Sequence, residues 1–509
     1  MRIYSKNRIL KSKIFETDMK IISQSILLIS ALLAAQLNLI NDCDETFNYW
    51  EPLHYLHFDK GFMTWEYDPR YAIRSWCYMF VFYGISYILR NDHMSFFVRF
   101  RSILGFFHFI SMSSLVSASK DVFHKDMESI LVVIIAFSPA FFISANSFLP
   151  SSICMFLVAV SYSKLLLGNN RQCLFYIVLM TVLCWPFCGV FVLMPVFDVA
   201  YSKLSNFLEY LITGILQSIL VLSISLSVDY LFYQKFVFVA LNIVNYNIFS
   251  IKGPELYGVE PISYYIKVFV LHWGPLSILI PFGVLLSLLS KHKMRLISSL
   301  TSLAWLSIFF MQPHKEERFL YPVYPLLALE AAHSLFFIKS KISSTLYFLI
   351  LAAFVIFSIM RTTALLPRHN IITLFKQSPP NSVICLGNEW HLFPTSFNLP
   401  INSKAAFIKD SFDGQLPYRF EQNAKDHLNK EKWAATWLEM KNVNDDNSRE
   451  LDRFVEKESC DYTFQIRDEK KQGICKEGIS HQEPFFGRVL RLPFQKLKEK
   501  SYFCLVENK

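Results

Sequence analysis

The chain of 509 residues is 53% hydrophobic and 18% charged, with a mean hydropathy of +0.31, whereas soluble domains are about a quarter charged. Its 49 phenylalanines against 15 glycines, and apolar runs recurring through the first three quarters, exclude an ordinary soluble enzyme and imply a polytopic membrane protein. The formal charge of +9 comes from scattered Lys and Arg, which suits loops facing anionic lipid and argues against nucleic acid as a partner.

Residues 1–20 form a basic arm carrying Arg2, Lys6, Arg8, Lys11 and Lys13. The run behind it, Ile21 to Ile40, is full length, since about 20 residues cross a bilayer. It is expected to stay as a first helix, not to be removed as a signal peptide. Hydropathy then predicts spans at 21–40, 71–89, 102–119, 128–144, 150–167, 172–197, 207–232, 264–290, 296–312, 320–338 and 343–361. The fold class is therefore mainly α, with about eleven or twelve transmembrane helices between residues 21 and 361. With the N-terminus in the cytoplasm, alternation leaves "LRNDHMSFFVRFR" (89–101), "KHKMR" (291–295) and "KSK" (339–341) on the cytoplasmic side, where Lys and Arg accumulate. The other side receives 41–70, 120–127, 233–263, 313–319 and everything after 361. Polar and turn-rich stretches thus gather on one face.

Three of those stretches carry chemistry. "NDCDETFNYWEPLHYL" (41–56) sets Asp42, Asp44, Glu45 and Glu51 among Phe47, Tyr49, Trp50 and Tyr55 at a membrane edge. A carboxylate there is costly to desolvate and usually lines a functional cavity; a plain solvated loop is the bland alternative, and it does not explain the aromatics. Asp44 and Glu45 point about 100° apart on a helix, so one can face a reactant while the other orients or caps. "MQPHKEERFLYPVYP" (311–325) clusters His314, Lys315 and Arg318 with Glu316 and Glu317. Arg offers a bidentate fork and Lys a point charge to a phosphate, and snorkelling is a weak rival on the non-cytoplasmic face. "NYN" and "GPELYG" within 229–261 read as turns fixed by Gly253, Pro254 and Gly258, by default a connecting loop.

The tail from 362 to 509 mixes short apolar runs with Pro and Gly turns, which predicts a small soluble α/β or mainly β domain. Residues 422–457 have partial helical period, with a disordered insert expected at 441–449. Cys385, Cys460, Cys475 and Cys504 can pair if the tail faces an oxidising compartment. Cys154, Cys173, Cys184 and Cys188 are read as packing residues. His54 and His57 share a helical spacing without a third ligand, so no metal is expected. No nucleotide-gripping glycine loop is visible, and no cofactor is implied. A transferase with acids and a cationic phosphate site on a non-cytoplasmic face would need a donor already in the membrane, a lipid phosphate.

The motifs "DCDETFNYWEP" (42–52), "GPELYGVEP" (253–261) and "HKEERFLYPVYP" (314–325) resemble the eukaryotic dolichyl-phosphate-mannose-dependent mannosyltransferases of the GT-C fold. "LGNEWHLFPTSFNLP" (386–400) and "FDGQLP" (412–417) look like its α-1,2-mannosyltransferase branch in asparagine-linked glycosylation. The similarity fades through 425–480 and returns faintly at "FFGRVLRLPF" (485–494). The resemblance implies an endoplasmic reticulum enzyme with a lumenal site, a dolichyl phosphate mannose donor and a dolichyl-diphosphate oligosaccharide acceptor. It implies the seventh and ninth mannose additions, with inversion by one base. Asp44 is the expected base and Glu45 the alternative. His314, Lys315 and Arg318 are expected at the donor phosphate, and Asn48, Tyr49, Trp50, Glu51, Tyr257 and Glu317 at the substrates. Rival readings are a glycosylphosphatidylinositol-anchor mannosyltransferase of the same family, a transporter or flippase, and an inactive scaffold.

Overall fold

The computed structural model describes residues 2–89, 93–200, 204–249, 254–419, 444–469 and 473–508. Helix α1 (Arg2–Leu37) leads into a polar loop. There α2 (Cys43–Glu45), a π-helical turn at Thr46–Trp50 and α3 (Glu51–Phe58) follow one another without a break. After strand β1 (Phe62–Met63) come α4 (Trp76–Ser86), α5 (His93–Val122), α6 (Asp126–Phe137), α7 (Pro139–Ser144), α8 (Pro150–Leu166), α9 (Asn170–Leu179), α10 (Leu193–Ala200), α11 (Leu204–Tyr233) and α12 (Val239–Val244). The remaining bundle helices are α13 (Ile262–Trp273), α14 (Leu276–Leu288), α15 (Lys293–Met311), α16 (Tyr324–Lys339) and α17 (Ser344–Leu365). Among the described residues six helices are long and apolar enough to cross a membrane, or seven if the bent pair α13–α14 counts as one.

Several predicted spans are built from shorter pieces. The stretch predicted at 264–290 bends by 102°, because Gly274 takes φ +51°, a conformation that favours glycine, and Pro275 follows. The stretch predicted at 128–144 is divided at Ser138, whose hydroxyl caps Ala140 N and also reaches the His272 carbonyl at 2.9 Å. Helix α16 is apolar on every side, and its first 12 residues are all buried at the centre of the bundle. Helix α11 instead exposes Leu208, Ile212, Ile215, Leu216 and Ile219, the face a bilayer would cover.

Two of the predicted spans, 71–89 and 172–197, break the alternation. The stretch 71–89 does not cross from one end to the other. Helix α4 and its 3-10 extension to Leu89 total 14 residues, about 21 Å at 1.5 Å per residue against a hydrocarbon core of about 30 Å. The end of α4 folds back on the first loop through His57 Nε2 and Ser86 Oγ, 2.9 Å apart. Phe96 then stacks on Phe397 of the tail at 4.1 Å, and Arg101 donates to the Asn38 carbonyl at 2.6 Å. The described residues of that stretch, Leu89 and 93–101, therefore lie at the end of the bundle that holds 41–70, not at the opposite end. The stretch 120–127 moves the other way: Lys339 holds Asp126 at 2.7 Å, and Phe123 meets His292. The stretch 172–197, predicted as one span, is instead a hairpin of two short apolar helices. It turns at Trp185–Pro186 beside Arg74 and returns to place Asp198 against Lys293 at 2.9 Å. The short α4 and this hairpin together leave 41–70 and 313–319 at one end of the bundle, where Asp44 meets Arg318.

The tail holds α18 (Asn370–Lys376), β2 (Val383–Leu386), β3 (Lys404–Phe407), β4 (Tyr418–Arg419), β5 (Tyr462–Arg467), β6 (Ile474–Ile479) and β7 (Lys500–Glu507). Five strands form a mixed sheet in the order β3-β2-β5-β7-β6. The first three are parallel, and β7 pairs antiparallel with both β5 and β6. Disulfides join Cys385 to Cys460 and Cys475 to Cys504. Phe47 and Phe62 of the first loop pack into the same apolar cluster as Ile384, Leu386, Phe464 and Leu505, and β1 pairs with β4. Gly253, residues 422–443 of the predicted helical stretch and residues 441–443 of the predicted insert lie outside the described residues. Asn444–Ser448 is an ordered turn, in which Asn444 Oδ1 accepts from Asp446 N and Ser448 N.

Candidate active site

Asp42 sits in extended backbone just before α2, and its carboxylate accepts from Asp44 N at 2.9 Å, an N-cap. This starts the helix with Asp44 on its outer side. One turn later the ladder slips to π geometry, where Glu51 N donates to the Thr46 carbonyl; such turns are frequent at functional sites. Asp44 Oδ2 receives Arg318 Nη2 at 2.5 Å across 274 residues of sequence. Arg318 also meets Asp42 at 3.1 Å and bonds Glu316 through Nε.

The turn bearing Arg318 is held from within. Lys315 is buried, and its Nζ donates to the Gln312 carbonyl. His314 lies between the Gly258 carbonyl at 2.8 Å and Glu316 Oε1 at 2.9 Å. Two acceptors on the two ring nitrogens call for the doubly protonated imidazolium. Burial opposes that charge, but Glu316 and the Gly258 carbonyl outweigh it, so the His314 pKa lies above its ordinary value. Burial likewise acts to raise Asp44, yet the Arg318 and Arg74 guanidiniums overcome it and hold Asp44 below the usual carboxylate range. Asp42 goes the other way: burial pushes it up to about 8, against the pull of Arg318. Burial thus favours the protonated form of Asp42, while the two guanidiniums favour the ionised form of Asp44.

Reading the sequence did not single out Arg74 or Glu66. Arg74 forks onto Glu66 at 2.7 and 3.1 Å, donates to Tyr49 Oη at 2.8 Å, and stands 3.8 Å from Asp44. Its signal was a basic residue heading an apolar run on a non-cytoplasmic face, inside the stretch read as span 71–89. A narrow cleft opens beside it, between Tyr49, Tyr78, Val182, Pro186 and Ile243.

The remaining sequence candidates separate into two groups. Tyr49 and Tyr257 stay at the site, Tyr257 being 43% exposed and within electrostatic reach of Asp44 and Glu66. Glu45, Asn48, Trp50 and Glu51 are buried and face away from the Asp44–Arg318 contact. Glu45 accepts from Trp50 Nε1 at 3.0 Å and Phe148 N at 2.9 Å. Asn48 is bonded by the Thr64 hydroxyl and, through its carbonyl, by Tyr67 Oη at 2.7 Å. Trp50 packs on Phe97 and Phe148. Glu51 accepts from Ser396 N at 2.6 Å, Thr395 Oγ1 at 2.7 Å, Ser396 Oγ at 2.8 Å and Phe62 N at 3.2 Å. Gly61 makes the last contact possible: its φ is +150°, and a Cβ there would meet the Glu51 carbonyl at 2.8 Å. Glu317 does not brace Arg318 but pairs with His272 Nε2 at 3.2 Å and accepts from Tyr321 Oη.

Asp42, Cys43 and Asp44 bring three ligand atoms within 4.8 Å of one another. Both carboxylates already face Arg318, whose positive charge occupies the position a metal ion would need, so the donor set does not fit one. The acids inside spans are satisfied locally. Asp229 accepts from Ser75, Ser225 and Cys77 N, and Glu330 from Ser287 and Ser298; neither forms a polar path through the bundle.

The profile of the Alg9-like mannosyltransferase family matches residues 23–400. The α-1,2-mannosyltransferase alg9 of Schizosaccharomyces pombe is 31% identical, covering 95% of this chain and 94% of its own length. The α-1,2-mannosyltransferase ALG9 of Homo sapiens is 31% identical over 86% of this chain and 78% of its own length. Likeness to GPI mannosyltransferase 3 of Candida albicans is more distant, 25% over 56% of this chain and 57% of that protein. The crystal structure of ArnT from Cupriavidus metallidurans bound to undecaprenyl phosphate superposes with a TM-score of 0.56, at 10% identity over 78% of this chain and 87% of that one, which shows the GT-C fold. With acids and cations converging at one end of that fold, the chain belongs to the Alg9-like mannosyltransferase family and is a multi-pass membrane glycosyltransferase.

Proposed function

We propose that the enzyme transfers mannose from dolichyl β-D-mannosyl phosphate to a mannose 2-hydroxyl of a dolichyl-diphosphate-linked oligosaccharide, at the lumenal face of the endoplasmic reticulum. The linkage formed is α-1,2, and the additions are the seventh and ninth mannoses. The observation that carries the reading is the Asp44–Arg318 contact, which joins the acidic motif of the first loop to the cationic motif before α16. Asp44 takes the proton of the acceptor 2-hydroxyl as its oxygen bonds to the anomeric carbon. The bond from that carbon to the phosphate oxygen breaks with its electron pair, and dolichyl phosphate departs with the added negative charge. A β donor giving an α product needs one displacement and one base.

Arg318 and the His314 imidazolium stabilise the charge on the departing phosphate. Arg74, 3.8 Å from Asp44, adds a third cation. Lys315 acts from beneath, by fixing the turn that aims Arg318. An arriving phosphate competes with Asp44 for Arg318, so donor binding loosens the contact that lowers Asp44's basicity and readies the base when it is needed.

The test is transfer by purified enzyme from a short-chain dolichyl phosphate mannose to defined lipid-linked acceptors, with chelator and without GDP-mannose. The expected result is an α-1,2-linked product unaffected by chelation. Transfer from GDP-mannose alone would overturn the donor assignment, and a product of another linkage the acceptor assignment.

A further inference from the structure

The tail carries an apolar surface that its own core does not use. In "EPFFGRVLRLPFQKLK" (483–498), Phe485, Phe486, Leu492 and Phe494 are exposed, Phe494 completely. A loop that merely stayed wet would collapse such rings inward, yet hydrogen bonds hold this one open. Glu483 accepts from Lys498 N and Glu499 N at 3.0 and 2.7 Å, closing the loop at its base. Gln495 Nε2 donates to the Phe486 carbonyl at 2.6 Å, its Oε1 accepts from Leu492 N, and the Arg491 guanidinium spans to the Gln495 carbonyl. Phe494 itself has φ +65°, a conformation in which a bulky side chain is a true outlier.

The loop is also fixed in height. Arg491 N donates to the Met360 carbonyl at 2.9 Å, and Arg361 Nη1 donates to the Val489 carbonyl at 3.2 Å. Met360 and Arg361 lie near the end of α17, the last span, where Ile356 and Ile359 are exposed on its outer surface. The phenylalanines are thus tethered where a lipid-facing helix surface leaves the bilayer. Arg488, Lys496 and Lys498 are exposed around them. Aromatic rings ringed by basic side chains suit the boundary between acyl chains and headgroup phosphates.

We infer that residues 485–498 form an interfacial anchor, which inserts Phe485, Phe486, Leu492 and Phe494 into the bilayer crossed by α17 and so fixes the tail against the membrane surface. The partner is the lipid itself, and the continuity of the patch with the outer surface of α17 selects it over a protein.

The experiment places p-benzoylphenylalanine at position 494, and in a second protein at position 451, where Leu451 is an exposed tail residue outside the patch. Each full-length protein is reconstituted in phosphatidylcholine liposomes containing alkyne-tagged phosphatidylcholine and irradiated, after mass spectrometry has verified both tail disulfides. The expected outcome is at least a tenfold excess of lipid adduct at 494 over 451. Equal labelling at the two positions would overturn the anchor, as would no lipid adduct at 494. A crosslink from 494 to a second copy of the chain would also overturn it and make the patch a protein interface.

Discussion

Arg318 faces three carboxylates, of Asp42, Asp44 and Glu316, and the first two answer differently to substitution. Asp44→Asn removes the proposed base, and turnover is expected to fall roughly 100- to 10,000-fold, the usual worth of a positioned acid or base, with the fold intact by gel filtration. Asp42→Asn should keep turnover at pH 7 within about threefold, because an amide mimics the protonated acid that burial favours there; a loss as deep as that of Asp44→Asn would reassign the base. The pH profile follows from the two shifts in charge. A base must be ionised to act, and Asp44 is held below the usual range, so the acid limb of kcat/KM should begin at unusually low pH. Arg318→Gln should move that limb to higher pH, in addition to weakening donor binding. His314, held above its ordinary value, loses its charge as pH rises through that raised pKa, and the donor KM should climb on the alkaline side.

Within the first loop, the sequence showed which residues are acidic but not which way they face. Asp44 and Glu45 are neighbours, and only the cap by Asp42 and the following π turn decide that Asp44 faces Arg318 while Glu45 meets Phe148 N. Glu51 was legible as a carboxylate among aromatics. Its partners Thr395 and Ser396 are 344 and 345 residues away, and nothing local announces them. Glu51→Ala would strand those buried donors; with a desolvation penalty of about 1–3 kcal/mol for each group left unpaired, a loss of about 3 kcal/mol or more of stability is expected. Thermal unfolding in detergent reads it, and an unchanged midpoint would mean that water replaces the carboxylate. Arg74 was obscured by the apolar run it heads, which made it look like the start of a helix rather than part of a site.

Across the whole molecule, apolar runs made the helical bundle readable, and the clustering of polar loops made the position of the site readable. Residues 41–70 and 313–319 do meet, at Asp44 and Arg318, although α4 is shorter than read and the turn at Trp185–Pro186 was missed. Strand order in the tail was not legible, because β3-β2-β5-β7-β6 is set by pairing between segments far apart, and four cysteines permit three connectivities. Peptide mapping without reduction should recover Cys385–Cys460 and Cys475–Cys504. Further, a chain ending before Cys460 keeps every span and every charged residue of the site, yet it is expected to be inactive in the transfer assay. Phe47 and Phe62 share their packing with Phe464 and Leu505. During synthesis the ribosome releases the loop carrying Asp44 about 400 residues before Phe464 and Leu505, the tail residues that pack against it. That loop must wait, half clothed, for strands β5 and β7, so that synthesis of the tail is itself the step that completes its packing.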